Sequence, residues 1–171
     1  KEIGVKPLFK MLTKNKSFCS LIVGNGQNIL FEKYAKDFSY NQPQTIMSIT
    51  KMFANLFVGE LLKNKKINLN KNVSYYLPKI GSGYAKAKVQ DILNMNVVNA
   101  YTEDYTKAYS SSFMHEPVGG WRLPKSGQIK LSQEQYLNTI KNIKNRDLKN
   151  NSEYALYKSA NTDVIGLIIE K

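Results

Sequence analysis

The chain has 171 residues, enough for one sizeable hydrophobic core or for one domain plus part of a second. Apolar residues make up 42% of the sequence and aromatic residues 11%, a composition that excludes an intrinsically disordered chain. The net charge of +12 comes from scattered lysines rather than arginines, which base-reading proteins favour, so we expect no nucleic-acid partner. No apolar segment reaches the roughly 18 residues of a transmembrane span.

A short helix and a β-hairpin are predicted at the start of the chain. The segment 7–14 reads as an amphipathic helix. The strand-like segments 18–23 and 28–34 flank a turn at Gly24-Asn25-Gly26. Two strands alone are marginally stable and need a covering layer. The helix predicted over 45–66 is apolar on nearly every face, so we expect it to be buried and to cover the hairpin.

Short helices around one long loop are predicted further along. The segment 89–95 suits a short helix, whereas no periodicity holds over 96–130. A loop of that length inside a compact domain is usually functional, for example as a lid or a pocket wall. Ser132 and Gln135 have the spacing of a capping box, and an apolar stripe through Ile143 follows them. A helix is therefore predicted to begin at Ser132.

A last helix is predicted to begin at Asn161 or Thr162, and its apolar surface has nothing after it to cover it. The hairpin likewise lacks partner strands. We therefore expect further polypeptide to complete the fold, either in the same protein or as a separate chain. The 171 residues alone are expected to be poorly soluble or inactive.

Ser48 and Lys51 form the most informative pair of residues. They are three positions apart near the start of the long helix and therefore share one helix face. Burial and the positive end of the helix dipole both disfavour a charged lysine there, so Lys51 could be neutral and accept the serine proton. The alternative is a lysine that snorkels to solvent. This is the only Ser-x-x-Lys sequence in the chain.

Other side chains are weaker candidates. His115, the only histidine, is expected in solvent, with a pocket contact as the alternative. Trp121 is more typical of packing than of recognition, and Glu103 is expected to be solvated like most acidic loop residues. Cys19 is the only cysteine, which excludes an intrachain disulfide and a cysteine-based zinc site. No metal is predicted.

Two long stretches, MSITKMFANLFVGELLKNKKINLNKNVSYYLPKI and YKSANTDVIGLIIEK, resemble the penicillin-recognising serine hydrolases. That family contains class C β-lactamases, serine DD-peptidases and related esterases. The stretches GSGY, YTEDYT and GGW are most similar to the branch of 6-aminohexanoate-dimer hydrolase and similar carboxylesterases. The resemblance runs along essentially the whole chain. It implies an α+β fold of the β-lactamase/transpeptidase type, an antiparallel sheet flanked by helices with a helical subdomain, whose C-terminal strands this chain does not include.

The resemblance also implies roles for individual residues. The family's Tyr-x-Asn motif, in places Tyr-x-Ser, falls on Tyr157-Lys158-Ser159, so Tyr157 would bind the nucleophile and share its proton with Lys51. Ser159 would contact the substrate in place of the usual asparagine, or Asn161 could do so. By resemblance, Glu103, Asp104 and Tyr105 could also line the pocket. His115 and Trp121 are the remaining candidate substrate contacts. The family's third motif, Lys/His-x-Gly on a strand that also gives an oxyanion-hole N–H, does not occur here.

Residues 1–171 are interpreted as a partial domain, with the hairpin and the nucleophile helix in 1–66 and a mostly helical subdomain in 67–171 whose pocket loop is 96–130. The predicted activity is cleavage of a small-molecule amide or ester through an acyl-enzyme on Ser48, without a cofactor. The alternative is a catalytically inactive module that binds a cell-envelope polymer or a protein. We expect the protein in the bacterial periplasm or cell envelope, otherwise in the cytoplasm.

Overall fold

The computed structural model describes residues 6–127, 129–143 and 147–171. Residue 128, in the predicted long loop, and residues 144–146, where the helix predicted from Ser132 gives way to a polar loop, lie outside the described residues. The chain divides into two compact units, Lys1–Ile46 and Met47–Lys171. Among the described residues, no helix combines the length and the apolarity that crossing a membrane requires.

The first unit contains the predicted helix and hairpin: α1 at Lys6–Thr13, β1 at Ser20–Gly24 and β2 at Ile29–Tyr34. The two strands pair antiparallel, with Ser20 opposite Tyr34. The ring of Phe9 in α1 stacks on that of Phe31 in β2, with ring centroids 4.8 Å apart. This aromatic pair joins the helix to the hairpin within the unit.

The second unit is helical. Its elements are a 3-10 helix at Met47–Lys51, α2 at Met52–Lys63, α3 at Val73–Tyr76, α4 at Val89–Leu93, α5 at Ser111–His115, α6 at Gln133–Asn138 and α7 at Ser159–Ile169. The predicted capping box is present, because the side chains of Ser132 and Gln135 each accept a hydrogen bond from the other's backbone N–H. Helix α6 ends at Asn138, before the apolar stripe does, and the carbonyl of Ile140 beyond it accepts a hydrogen bond from the N–H of Gly83.

Helix α2 is mostly exposed, so the prediction that it is buried on nearly every face is wrong. Val58 is its buried residue, and Ala54 and Leu61 are partly buried against the same core. These positions follow the spacing of a single helix face. The large apolar residues on the other faces of the 3-10 helix and α2 are exposed: Met47, Ile49, Met52, Phe53, Leu56, Phe57 and Leu62. One face of α2 therefore packs within its unit, and the others do not.

Helix α7 lies in the core, so the prediction of an uncovered apolar surface is wrong for this helix. Its buried residues are Ala160, Asn161, Val164, Ile165 and Ile168. It packs against α2, α4 and α6, which precede it in the chain and cover it without any later segment. The helix begins at Ser159, earlier than either predicted cap.

Candidate active site

Ser48 and Lys51 lie in the 3-10 helix that leads into α2. With three residues per turn, positions i and i+3 of such a helix are aligned. The Lys51 Nζ atom lies 3.2 Å from Ser48 Oγ, within hydrogen-bond distance. Ser48 is exposed and Lys51 is half-buried, so the lysine is less buried than the sequence predicted. Met47, directly before the serine, has a φ of 48°, a backbone conformation that non-glycine residues rarely adopt.

Tyr157 approaches the same serine from a distant part of the sequence. It lies in the extended segment before α7, and its phenol donates a hydrogen bond of 2.8 Å to Ser48 Oγ across 109 positions. The Lys51 Nζ atom is 5.9 Å from the centroid of the Tyr157 ring. The structure thus brings the three predicted catalytic residues together, and their roles in a reaction stay a prediction.

The environment of Tyr157 lowers the pKa of its phenol below the ordinary value. Partial burial by itself raises this pKa, but the hydrogen bonds with Ser48 and Ser159 and the positive charge of Lys51 together outweigh it. A phenol with a lowered pKa gives up its proton more readily near neutral pH. Tyr157 is therefore better suited than an ordinary tyrosine to take part in proton transfer.

A cavity of about 260 Å³ opens beside the candidate nucleophile. Ser48 and Lys51 contribute to its wall, together with apolar side chains of α4 and α7 that include Ile92 and Ile165. Its volume is just below the range of about 300–1,000 Å³ that is usual for small-molecule sites. A small group attached to a carbonyl at Ser48 could occupy it.

Ser159, predicted to contact substrate, is bound to two residues of the segment before α5. Its N–H donates to Glu103 Oε2 at 2.9 Å and its hydroxyl donates to Glu103 Oε1 at 2.8 Å. The Tyr105 hydroxyl lies 3.1 Å from Ser159 Oγ and also donates to Glu103. Glu103 was expected in solvent, and no sequence spacing could have linked it to a residue 56 positions away.

His115 is buried at the end of α5, contrary to the expectation of a solvated loop position. Its ring stacks on that of Tyr136 at 4.4 Å, and Nδ1 lies 3.2 Å from the Tyr101 hydroxyl. Its Nε2 lies 3.4 Å from Asp163 Oδ2. Burial lowers the pKa of His115 to about 4, so the imidazole is neutral at pH 7. Sequence reasoning did not identify Asp163 as its partner.

Two other predicted substrate contacts have different surroundings from those expected. Asn161 is fully buried. Its side-chain oxygen accepts a hydrogen bond of 2.9 Å from the Tyr84 hydroxyl, and its amide nitrogen lies 3.5 Å from Met95 Sδ. The structure therefore places Asn161 in the core rather than at a surface open to substrate. Trp121 was expected to pack, but it is 69% exposed.

No family model matches the sequence. A curated relative, the 6-aminohexanoate-dimer hydrolase of Paenarthrobacter ureafaciens, is 30% identical to the chain over 153 residues. This alignment covers 89% of the chain and 37% of that relative. A solved structure from Bacillus anthracis, provisionally named 6-aminohexanoate-dimer hydrolase, matches with a TM-score of 0.70 and 18% sequence identity. That match covers 95% of the chain and 42% of the solved chain.

These similarities confirm part of the predicted resemblance. The chain is similar in sequence to a hydrolase of the predicted branch. It also has the fold of a segment of the solved protein, an α+β fold whose described strands here are one antiparallel pair. The chain spans only about two fifths of the length of either protein.

Proposed function

We propose that the chain carries the nucleophile of a serine hydrolase that cleaves an amide or ester bond of a small molecule through an acyl-enzyme. The observation that carries this proposal is the convergence of two proton-transferring groups on one exposed hydroxyl. Lys51 Nζ lies 3.2 Å and the Tyr157 hydroxyl 2.8 Å from Ser48 Oγ. The relative named for hydrolysis of the 6-aminohexanoate dimer supports this class of reaction.

In the first half of the reaction, Ser48 attacks the substrate carbonyl. A serine is a weak nucleophile until a neighbour accepts its proton. Lys51 and Tyr157 together accept this proton while the Oγ–carbon bond forms and the carbonyl electron pair moves to oxygen. The resulting oxyanion binds the backbone N–H of Ser48 as one of two donors. Collapse of this intermediate breaks the bond to the leaving group, which receives the proton.

In the second half, water adds to the acyl carbonyl and passes a proton to Lys51 and Tyr157. The Ser48–carbon bond then breaks, the serine recovers a proton, and the acid leaves. The proton that leaves Ser48 moves to groups already within hydrogen-bond distance of its oxygen. The reaction needs no cofactor.

Further polypeptide, corresponding to the rest of the relatives' length, would complete this site. The apolar side chains exposed around Ser48, such as Ile49 at 63% and Met52 at 53%, support such a covering segment. The second oxyanion donor would come from this segment, whether it continues the same chain or forms a separate one. The 171 residues alone would then have little activity.

The proposal is tested by covalent labelling of Ser48 with a fluorophosphonate in the full-length protein. The serine oxygen attacks phosphorus, fluoride leaves, and the serine proton passes to the neighbouring base. We expect one adduct, located on Ser48 by peptide mass spectrometry. The variant Ser48→Ala should lose the label, whereas Ser132→Ala, which removes only a helix cap, should keep it. An unmodified Ser48 alongside a fully labelled control serine hydrolase would contradict the proposal.

A further inference from the structure

The first turn of α7 is held by a carboxylate from a distant segment. The first N–H groups of a helix have no partner within the helix. Glu103 supplies one for Ser159, the first residue of α7, with an N–H to Oε2 distance of 2.9 Å. Its other oxygen, Oε1, accepts the Ser159 hydroxyl at 2.8 Å. Both carboxylate oxygens therefore bind one residue, which lies two positions after Tyr157.

The segment that carries Glu103 is itself fixed by hydrogen bonds. The N–H of Asp104 donates to Ser112 Oγ at 2.8 Å, and the N–H of Ser112 donates to the Thr102 carbonyl at 3.0 Å. Ser112 is 2% exposed, so these bonds are shielded from water. Glu103 thus approaches α7 from a segment that is held by hydrogen bonds to α5.

The Ser159 hydroxyl makes several contacts within the protein. A hydroxyl carries one proton and two acceptor sites. Its proton points to Glu103, and its oxygen lies 3.1 Å from the hydroxyl of Tyr105, which also donates to Glu103. Ser159 also interacts with the Tyr157 phenol, and this interaction lowers the pKa of Tyr157. A substrate contact of Ser159 stays a prediction.

These contacts link Glu103 to the candidate nucleophile. Glu103 binds the backbone and the hydroxyl of Ser159, which lies two positions after Tyr157, and Tyr157 donates to Ser48 Oγ at 2.8 Å. In serine proteases a carboxylate similarly fixes the orientation of the base that serves the nucleophile. We propose that Glu103 and Ser159 are positioning residues, which hold the Tyr157 hydroxyl at Ser48. This inference rests on the proposed hydrolase function, because it concerns how the same nucleophile is activated.

The consequence concerns the orientation of the Ser159 hydroxyl. Its proton is held by Glu103 Oε1 rather than by Tyr157. Loss of the carboxylate would free this proton to turn toward the Tyr157 oxygen and compete with the contact between Tyr157 and Ser48.

The test compares Glu103→Gln, Glu103→Ala and Ser159→Ala with Glu116→Gln in the full-length protein. Glu116 is a matched control, since it lies in the same loop and pairs with Arg122 outside the site. The maximal rate and the half-saturating concentration for fluorophosphonate labelling of Ser48 are measured separately, together with the thermal midpoint. We expect Ser159→Ala and Glu103→Gln to lower the maximal rate by about tenfold, with the half-saturating concentration unchanged.

Glu103→Gln can keep one acceptor for the Ser159 N–H, whereas Glu103→Ala keeps none. The glutamine variant should therefore label faster than the alanine variant, and Glu116→Gln should match the wild type. Wild-type maximal rates in both Glu103→Ala and Ser159→Ala would overturn the positioning role while labelling of Ser48 still supported the hydrolase. A raised half-saturating concentration with an unchanged maximal rate would instead show a substrate contact and overturn it. No labelling of the wild type would overturn both proposals.

Discussion

Helices α2 and α7 are both strongly apolar, and their surroundings are opposite. The core of the second unit covers α7, including Val164 and Ile168, which are 0% and 4% exposed. On α2 the side chains of Leu56 and Phe57 remain 63% and 60% exposed. Apolar side chains show that a helix gains stability when it is covered. They do not show which polypeptide covers it.

This difference matters for the candidate site because each helix supplies part of it. The 3-10 helix before α2 carries Ser48 and Lys51 at an exposed surface, where a substrate can reach them. The segment before α7 carries Tyr157, whose phenol donates to Ser48. The proposed nucleophile is thus accessible and already bound to its proposed proton-transfer partner, an arrangement that would favour catalysis by preorganisation.

The largest effect is expected from removing the amine next to the nucleophile. Lys51→Met keeps the approximate length of the side chain but removes its proton-carrying group, so Ser48 loses its proposed base. We expect fluorophosphonate labelling of Ser48 in the full-length protein to slow by about 10²–10⁴-fold. The labelling rate is measured by intact-protein mass spectrometry.

Lys63→Met is the matched control, because Lys63 is exposed at the far end of α2, the helix that directly follows Lys51. It should label at the wild-type rate. Equal slowing in both variants would mean that the loss of lysine charge, rather than its position, matters. That outcome would remove the distinction between the reactive start of the helix and the rest of it.

Because α7 is buried and α2 is largely exposed, truncating an apolar side chain should lower the free energy of unfolding more in α7 than in α2. Ile168→Ala creates a cavity in the core and should lower the free energy of unfolding by about 2–5 kcal/mol. Leu56→Ala removes an exposed side chain and should change it by at most about 0.5 kcal/mol in the 171-residue chain. Urea denaturation measures both values.

The variant Leu56→Ala also tests whether further polypeptide covers α2. In a longer protein that includes such a segment, Leu56→Ala should become costly, by about 2–5 kcal/mol. A neutral Leu56→Ala in that protein would contradict the proposed covering. A costly one in the 171-residue chain would contradict the exposed face of α2.

The sequence predicted local features well. The hairpin and the capping box at Ser132 follow from a few neighbouring residues, and the structure has both. Ser48 and Lys51 could be paired for the same reason, since three positions on one helix determine their proximity. Tyr157 was selected only through the family resemblance, because helical spacing cannot relate residues 109 positions apart.

Long-range contacts account for what the sequence did not predict. The bonds from Glu103 to Ser159 and from Tyr84 to Asn161 depend on how distant segments pack. In the sequence, Glu103 is an acidic residue in a loop and Asn161 is a polar residue near the start of a helix. Their partners could not be chosen from composition or periodicity.

A smaller effect is expected at Asn161, which the structure places in the core. Asn161→Ala leaves the buried Tyr84 hydroxyl without its acceptor, which should cost about 1–3 kcal/mol of unfolding free energy. Because Asn161 is 0% exposed, the half-saturating concentration for labelling should not change. A rise in that concentration without a loss of stability would restore Asn161 as a substrate contact. Tyr84→Phe removes only the hydroxyl and separates the hydrogen bond from the packing.

The smallest effect concerns the pH dependence of stability through the His115–Asp163 pair. Burial lowers the pKa of His115 from 6.5 to about 4, so the unfolded chain binds more protons and stability rises with pH across this window. Burial raises the pKa of Asp163 from 3.8 to about 6, partly offset by the charge of Lys51. The folded chain then binds more protons, and stability falls as pH rises from about 4 to about 6. The two contributions oppose each other.

Substituting one residue of the His115–Asp163 pair should therefore reveal how the other makes the unfolding free energy depend on pH. We expect the unfolding free energy of Asp163→Asn to rise more steeply than that of the wild type between pH 4 and 6.5, because the His115 contribution is left unopposed. In His115→Phe, which keeps an aromatic ring against Tyr136, the unfolding free energy should rise less steeply with pH than in the wild type. Asp37→Asn, at an exposed position of the first unit, should follow the wild type. Parallel curves for all four proteins would mean that α7 and its neighbours do not bury this pair, and the contrast with α2 would be weaker.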